Sequence, residues 1–548
     1  YTLSLHDTLP ISLPLIRPST ASLMILRQQS IGLGVLALLL FIAGDYQQAA
    51  IGFDSRFILF AEEMLRHGPG FFPTTYGQPY ADYSATSTFF IYLFSLPLGR
   101  VVSLTAWLPT AIASAVMVSL IYRLIAPYSR QWALLSIALL LLSNNFITET
   151  RAVSLDQMLA TVAFAIFYLG YAADHFEAPR RMALILALLV LGFAIRGPIG
   201  LVVPTGMLCS YYLLNGQWQR FFTFGLMALA ILVTCIGVLL LLADISGGSA
   251  FMHEVVRMQF SSRMDGSEGS SSPLYYFTSS VGNYALAYPL AILVLAVTLL
   301  AGRQHKTSAL RLLQFCTAAG LIVMIGLSIP QAKKARYMLP MIPMAAIIAA
   351  YPFQAVEGRL FAWLRGLTLG ILLLLPGLLI AGLLVARQRF PEQLGSINVV
   401  LTVLAVLQIA ALALLFKQQW RTVGLAICAV LAMWSCYILV FEPVERELYD
   451  TRSFTLAARD LIQRDPAPVV LHSMGKDAKA IKFMVNIPED LKPIFTDTPE
   501  GIEVVQGPAW LVMDKTDYQA LQSTRFAALQ PLLSGRFDKN DYVLLHLP

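Results

Sequence analysis

Long apolar runs separated by short charged links dominate the chain. In order, they cover residues 30–47, 86–102, 104–126, 131–149, 156–173, 181–195, 197–215, 220–244, 281–301, 309–329, 337–356, 362–386, 397–416 and 421–441. Many approach about 20 residues, the length at which a helix crosses the hydrocarbon of a bilayer with its backbone paired internally. The pattern stops at Glu442. Beyond it, residues 453–464 have the spacing of an amphipathic helix. Short apolar runs at 469–472, 504–505, 510–513 and 542–546 alternate with turn residues and a helical segment at 517–522. That alternation predicts a small α/β domain. The reading is a polytopic α-helical membrane protein over 23–441, with outer loops at 48–103 and 245–280, followed by an α/β domain over 442–548. Residues 1–22 open with YTLSLHDTLPIS, which lacks the basic start and apolar centre of a signal peptide. They read as a non-native segment and are set aside.

Charge placement orients these runs. Arg123 with Arg130, Arg180 with Arg181, Arg220, Arg303 with Lys306 and Arg311, Arg359 with Arg365, and Lys417 with Arg421 fall in short links. Loops rich in Lys and Arg stay in the cytoplasm. The links alternate consistently only if 86–102, a short run broken by Pro97, lies in the outer interface. Of fourteen runs, thirteen then cross, with the N-terminus inside and the C-terminal domain outside.

Composition agrees with this picture. The 548 residues are 57% hydrophobic and only 13% charged, against roughly 25% charged in soluble domains. A net charge of +6 is small for this length, and no nucleic-acid partner is expected. Cys209, Cys235, Cys316, Cys428 and Cys436 all lie inside apolar runs, so free thiols are expected.

Chemistry concentrates in a few places. The stretch 51–82 follows the first run and combines Asp54, Arg56, an amphipathic segment at 56–66, a turn-rich tail and Asp82. Asp54 is either an interfacial acid that pairs with Arg56 or caps a helix, or a general base tuned by the low-dielectric boundary. Asp156 restarts a run after Glu149 and Arg151. It is either a helix cap or a charge facing a cavity. Arg196-Gly197-Pro198 interrupts apolar sequence; the arginine snorkels or grips an anion with its planar fork. Lys333, Lys334 and Arg336, followed by Tyr337, place three cations on the outer side against the bias of the other links. An anionic substrate accounts for them better than a solvated loop does. The long outer loop adds His253, Glu254, Arg257, Gln259 and Arg263, then a Gly/Ser-rich tip at 266–272. No His/Cys cluster of zinc spacing, Walker loop or G-x-G-x-x-G is present.

The ordered set is similar to the polyprenyl-phosphate-sugar glycosyltransferases of the GT-C fold, which include protein O-mannosyltransferases and, more closely, lipid A aminoarabinose transferases. It comprises an Asp-bearing first loop, Arg…Leu-Asp-Gln-Met, Arg-Gly-Pro-Ile-Gly-Leu-Val-Val-Pro, a loop ending Pro-Leu-Tyr-Tyr, and Lys-Lys-Ala-Arg-Tyr-Met-Leu-Pro. The resemblance implies an inverting transfer of a sugar from an undecaprenyl-phosphate-linked donor to a glycolipid, glycan or protein. It implies this at the periplasmic face of a bacterial inner membrane, among membrane lipids. Asp54 and Asp156 match its catalytic acids, and Arg196, Lys333, Lys334 and Arg336 match its basic positions. Arg56, Asp82, Arg151, Arg257, Arg263 and Tyr337 complete the expected substrate-binding set. Relatives carry Asp-Glu where this chain has Asp54-Ser55, and Glu-Lys-Pro-Pro-Leu where it reads Tyr80-Ala-Asp82-Tyr-Ser-Ala-Thr. Donor sugar and acceptor therefore stay open. No cofactor is required; a divalent metal is allowed, with no residues assigned to it. The competing reading is a transporter or flippase of lipid-linked glycans, for which mid-membrane polar positions would be expected.

Overall fold

The computed structural model describes residues 20–44, 54–82, 84–176, 178–261, 271–300, 307–354, 357–394, 397–505, 507–520 and 529–547. Ten helices carry the chain to its middle: α1 (Thr20–Ile42), α2 (Asp54–His67), α3 (Thr86–Ser95), α4 (Ser103–Ile125), α5 (Arg130–Leu141), α6 (Asn144–Thr150), α7 (Leu155–His175), α8 (Met182–Arg196), α9 (Pro198–Leu214) and α10 (Trp218–Val256). Among the described residues, seven helices are long and apolar enough to cross a membrane, and up to nine spans result if each of two bent pairs counts as one. Four further apolar helices are shorter, including α8, α9 and the segment beginning with α3. The chain is a multi-pass membrane protein. Each of the fourteen apolar runs contains helix; length and composition do not assign thirteen crossings.

Packing separates the helices into two kinds. In α7, 83% of the most apolar window is buried, as expected of a helix that is apolar all round and central. The corresponding windows of α10 and of helix Arg359–Arg389 are only 11% and 17% buried. Long apolar helices so exposed are covered by lipid, the one solvent that does not penalise them. One large core, including Trp132, Phe164, Tyr171, Tyr211 and Trp434, joins the bundle. The expected outer loop from 245 begins as helix instead, because α10 continues to Val256 across a break at Gly248.

The first loop folds into α2 and a hairpin of β1 (Thr74–Thr75) and β2 (Gln78–Pro79). Tyr76 and Gly77 at its tip have φ of 55° and 77°, the positive values that suit a tight two-residue turn. This unit clamps the C-terminal domain. Arg56 donates to the Asp477 carbonyl (3.0 Å), Arg66 to the Pro488 carbonyl (3.1 Å), and Tyr76 to the Lys476 carbonyl (3.1 Å).

The C-terminal sheet contains β3 (Val469–His472), β4 (Ile494–Thr496), β5 (Ala509–Asp514), β6 (Leu533–Phe537) and β7 (Asn540–Leu547), in the order β4-β3-β5-β7-β6. The three strands β4, β3 and β5 are parallel, and β7 joins antiparallel. Central β5 is buried along its whole length, which explains its unbroken apolar sequence. The apolar pair 504–505 is not a strand, since Pro499–Glu503 forms a helix and the chain turns after it. β4 and β6 carry weaker apolar patterns and were not expected from them.

Candidate functional site

Asp54 opens α2, where a carboxylate complements the positive end of the helix. Its Oδ1 accepts the Val153 amide at 3.1 Å. Burial pushes its carboxyl up to about 7, opposed by the Val153 amide, reinforced by Glu149 and opposed again by Arg336. Val153 belongs to the short connection between α6 and α7. Ser154 in that connection caps α7 through the Gln157 amide (3.2 Å) and donates to Glu149 Oε2 (2.5 Å). Its own amide donates to Thr110 Oγ1 of α4 (3.2 Å). The connection that Asp54 touches is thus fixed by hydrogen bonds from α4, α6 and α7.

Asp156, two residues further on, bridges two arginines. Arg196 Nε lies 2.8 Å from Oδ1, and Arg336 Nε lies 3.1 Å from Oδ2. The Arg196 guanidinium also stacks over the Tyr337 ring, 5.2 Å from its centroid. Arg196 ends α8, and Gly197 follows with φ 64° and ψ −150°, a conformation that only glycine adopts cheaply. The turn folds α9 back so closely that a Cβ on Gly200 would stand 1.9 Å from the Gly192 carbonyl oxygen. Two glycines therefore place Arg196. Arg336 enters from the short 3-10 segment Ala335–Met341.

A cleft of about 690 Å³ opens beside this cluster. Asp82, Ser84, Arg196 and Gln259 form its polar end, while Phe71, Phe193, Val238 and Leu242 are among its apolar walls. Arg56 pairs with Asp82 (3.7 Å) and lies over the Tyr80 ring (5.3 Å). The structure thus brings Asp54, Asp156, Arg196, Arg336 and Tyr337 together, with Asp82 and Arg56 on the adjoining wall.

Other expected residues lie elsewhere or serve other partners. The Arg151 side chain is fully buried and donates to both Glu442 oxygens, the Phe41 carbonyl and the Ala43 carbonyl. It also faces the Trp107 ring. It joins the end of α1 to helix Glu442–Leu448. Arg257 is exposed and forms a local bidentate pair with Glu254 (2.9 and 2.5 Å). Lys333 donates to the carbonyls of Pro330 (2.7 Å) and Ser271 (3.2 Å), and Lys334 is exposed. Arg263 lies outside the described residues.

Two residues that the sequence reading names without giving them a site role join the site. Glu149 is tied to Ser154 and acts electrostatically on Asp54; its signal was a second carboxylate in the segment leading to Asp156. Gln259 donates to the Asp82 carbonyl and approaches Gly197. Its local sequence places it in a polar loop but does not show its partners, which are more than sixty residues away.

A buried acid between two arginines, a second acid on the connection beside it, and an apolar-walled cleft in a multi-pass bundle make up the candidate site. Residues 46–246 match the family model described as dolichyl-phosphate-mannose-protein mannosyltransferase. The whole chain is similar in structure to ArnT from Cupriavidus metallidurans. For the apo state the TM-score is 0.69 at 15% identity, and for the undecaprenyl phosphate complex it is 0.66 at 14%. Each superposition covers 96% of this chain and 98% of ArnT. No curated protein matches the chain in sequence. The chain has the fold of ArnT, and part of it matches the mannosyltransferase family model.

Proposed function

We propose that the protein transfers a sugar, with inversion, from a polyprenyl-phosphate-linked donor to a hydroxyl of an envelope glycolipid, glycan or protein. The observation that carries this reading is the double role of Arg196. It is paired with Asp156 and at the same time lines an apolar-walled cleft suited to a lipid chain. ArnT of the same fold has been crystallised with undecaprenyl phosphate, which supports the same donor here. Arg196 and Arg336 face the leaving phosphate and stabilise the charge that develops on it. Asp54, with a carboxyl that titrates near neutrality, takes the proton of the acceptor hydroxyl. The acceptor oxygen then bonds to the anomeric carbon as the bond from that carbon to the phosphate oxygen breaks. Both electrons leave with the polyprenyl phosphate. Asp156 holds the two guanidiniums in position, and Asp82 and Arg56 border the sugar. The charge balance needs no divalent ion, since two guanidiniums already face the phosphate.

This reading places the enzyme in a bacterial inner membrane, with the cleft and the C-terminal domain periplasmic, as the charge placement along the chain predicts. The test is transfer from undecaprenyl-phosphate sugars to envelope lipids by the purified chain, compared with Asp54→Asn. Product formed by the parent and lost in the folded variant supports the reading. Movement of intact lipid-linked sugar across a bilayer without a new glycosidic bond overturns it in favour of a transporter.

A further inference from the structure

A second cavity, of about 640 Å³, lies between α2, the turn before α4, and the C-terminal domain. Its lining includes Arg66, Arg100, Arg452 and Arg459, with Glu62 as the one carboxylate. None of these residues belongs to the cluster around Asp156. Glu62 is already engaged, accepting the Val101 amide (3.0 Å) and lying 3.9 Å from Arg66. Arg459 is held by Asp460 (2.8 Å), and Arg66 by the Pro488 carbonyl. Arg100 and Arg452 are exposed and form no ion pair with any described residue. With Arg66 paired to Glu62 and Glu63 and Arg459 to Asp460, Arg100 and Arg452 leave uncompensated positive charge on the cavity wall, which an anion would neutralise. Their planar forks match the oxygens of a phosphate.

The position of the cavity indicates where that phosphate comes from. Arg100 precedes the apolar span Ser103–Ile125 by three residues, which puts its guanidinium at the bilayer boundary. A few residues before it in the chain, Leu96 and Leu98 are 47% and 54% exposed, an apolar surface available to an acyl chain. We infer that this groove is a phosphate-binding site that takes the headgroup of an anionic membrane lipid. The lipid bridges the membrane bundle and the C-terminal domain at a point apart from the donor cleft. The inference does not depend on the transferase reading, and its test involves no sugar transfer.

The full chain is placed in nanodiscs of phosphatidylcholine with and without phosphatidylglycerol, and retained lipid is counted by native mass spectrometry. The parent chain is expected to retain phosphatidylglycerol in preference. The double variant R100Q/R452Q, with melting unchanged, should lose this preference by about thirtyfold, the combined effect of two interfacial arginines. R100K/R452K should restore most of it. Inorganic phosphate at millimolar concentration separates the sources of the anion. Competition shows a site open to any phosphate group, and no competition shows one that also needs the lipid's acyl chain. Equal retention of both lipids by the parent overturns the inference, whatever the variants do. So does undiminished preference in a folded R100Q/R452Q.

Discussion

Asp54 Oδ1 lies 3.1 Å from the Val153 amide nitrogen, on the same short connection that leads into Asp156. An acid from the first loop and an acid from the head of α7 therefore share one rigid support. Replacing Asp54 by Asn keeps the acceptor for Val153 but removes the base. Transfer is expected to fall by about 10²–10⁴-fold, the usual contribution of a general base, while the far-ultraviolet spectrum is unchanged. Near-parental turnover by the variant would remove Asp54 from the chemistry.

The same carboxyl sets a pH dependence. Because the base acts deprotonated and burial raises its carboxyl to about 7, turnover should rise about tenfold per pH unit below that value and level off above it. Stability runs the other way. From the ordinary value of 3.8 up to about 7 the unfolded chain ionises while the folded one keeps its proton. Stability therefore falls as pH rises through that window. Asp54→Asn should consequently be as stable as the parent near pH 4 and more stable at pH 8, as read by thermal melts in detergent.

Asp156 lies between Arg196 and Arg336, at 2.8 and 3.1 Å. Truncating it to Ala leaves two guanidiniums without their buried anion, a change that costs about 3–5 kcal/mol in comparable pairs. Arg196→Gln leaves Asp156 with Arg336, so the stability loss should be smaller. Transfer should still drop about 10²–10³-fold, as when one transition-state donor is removed elsewhere. A double variant less impaired than the sum of the two singles would show that the pair works as a unit.

Arg151 and Glu442 form a structural pair, and this separates them from the site. Arg151→Met should lower stability by about 3–5 kcal/mol, measured by thermal unfolding. The protein that remains folded should keep its KM for the donor. A changed KM with unchanged melting would return Arg151 to substrate binding.

Since two guanidiniums face the phosphate in the proposed transfer, chelation of divalent ions should leave the rate within about twofold, a span smaller than the loss of one charge-assisted hydrogen bond. The check is turnover before and after dialysis against EDTA.

The sequence by itself determined the membrane helices and their apolar faces. Those depend on runs of side chains whose preference for lipid is local and additive. It also determined strands β3, β5 and β7, whose apolar runs match mostly buried positions. Asp54, Asp156, Arg196 and Arg336 could be singled out because a charge at the end of an apolar helix is costly and therefore conspicuous. Only the tertiary structure decided what each charge meets. Arg151 and Arg196 read alike along the chain, yet one is consumed by Glu442 and two carbonyls and the other lines the cleft. Lys333 and Arg336 stand three positions apart, yet one turns to its own loop and the other to Asp156. Glu149 and Gln259 became site residues only through partners brought to them by folding. Ion pairing depends on distances between elements remote in sequence, and no local pattern encodes those distances.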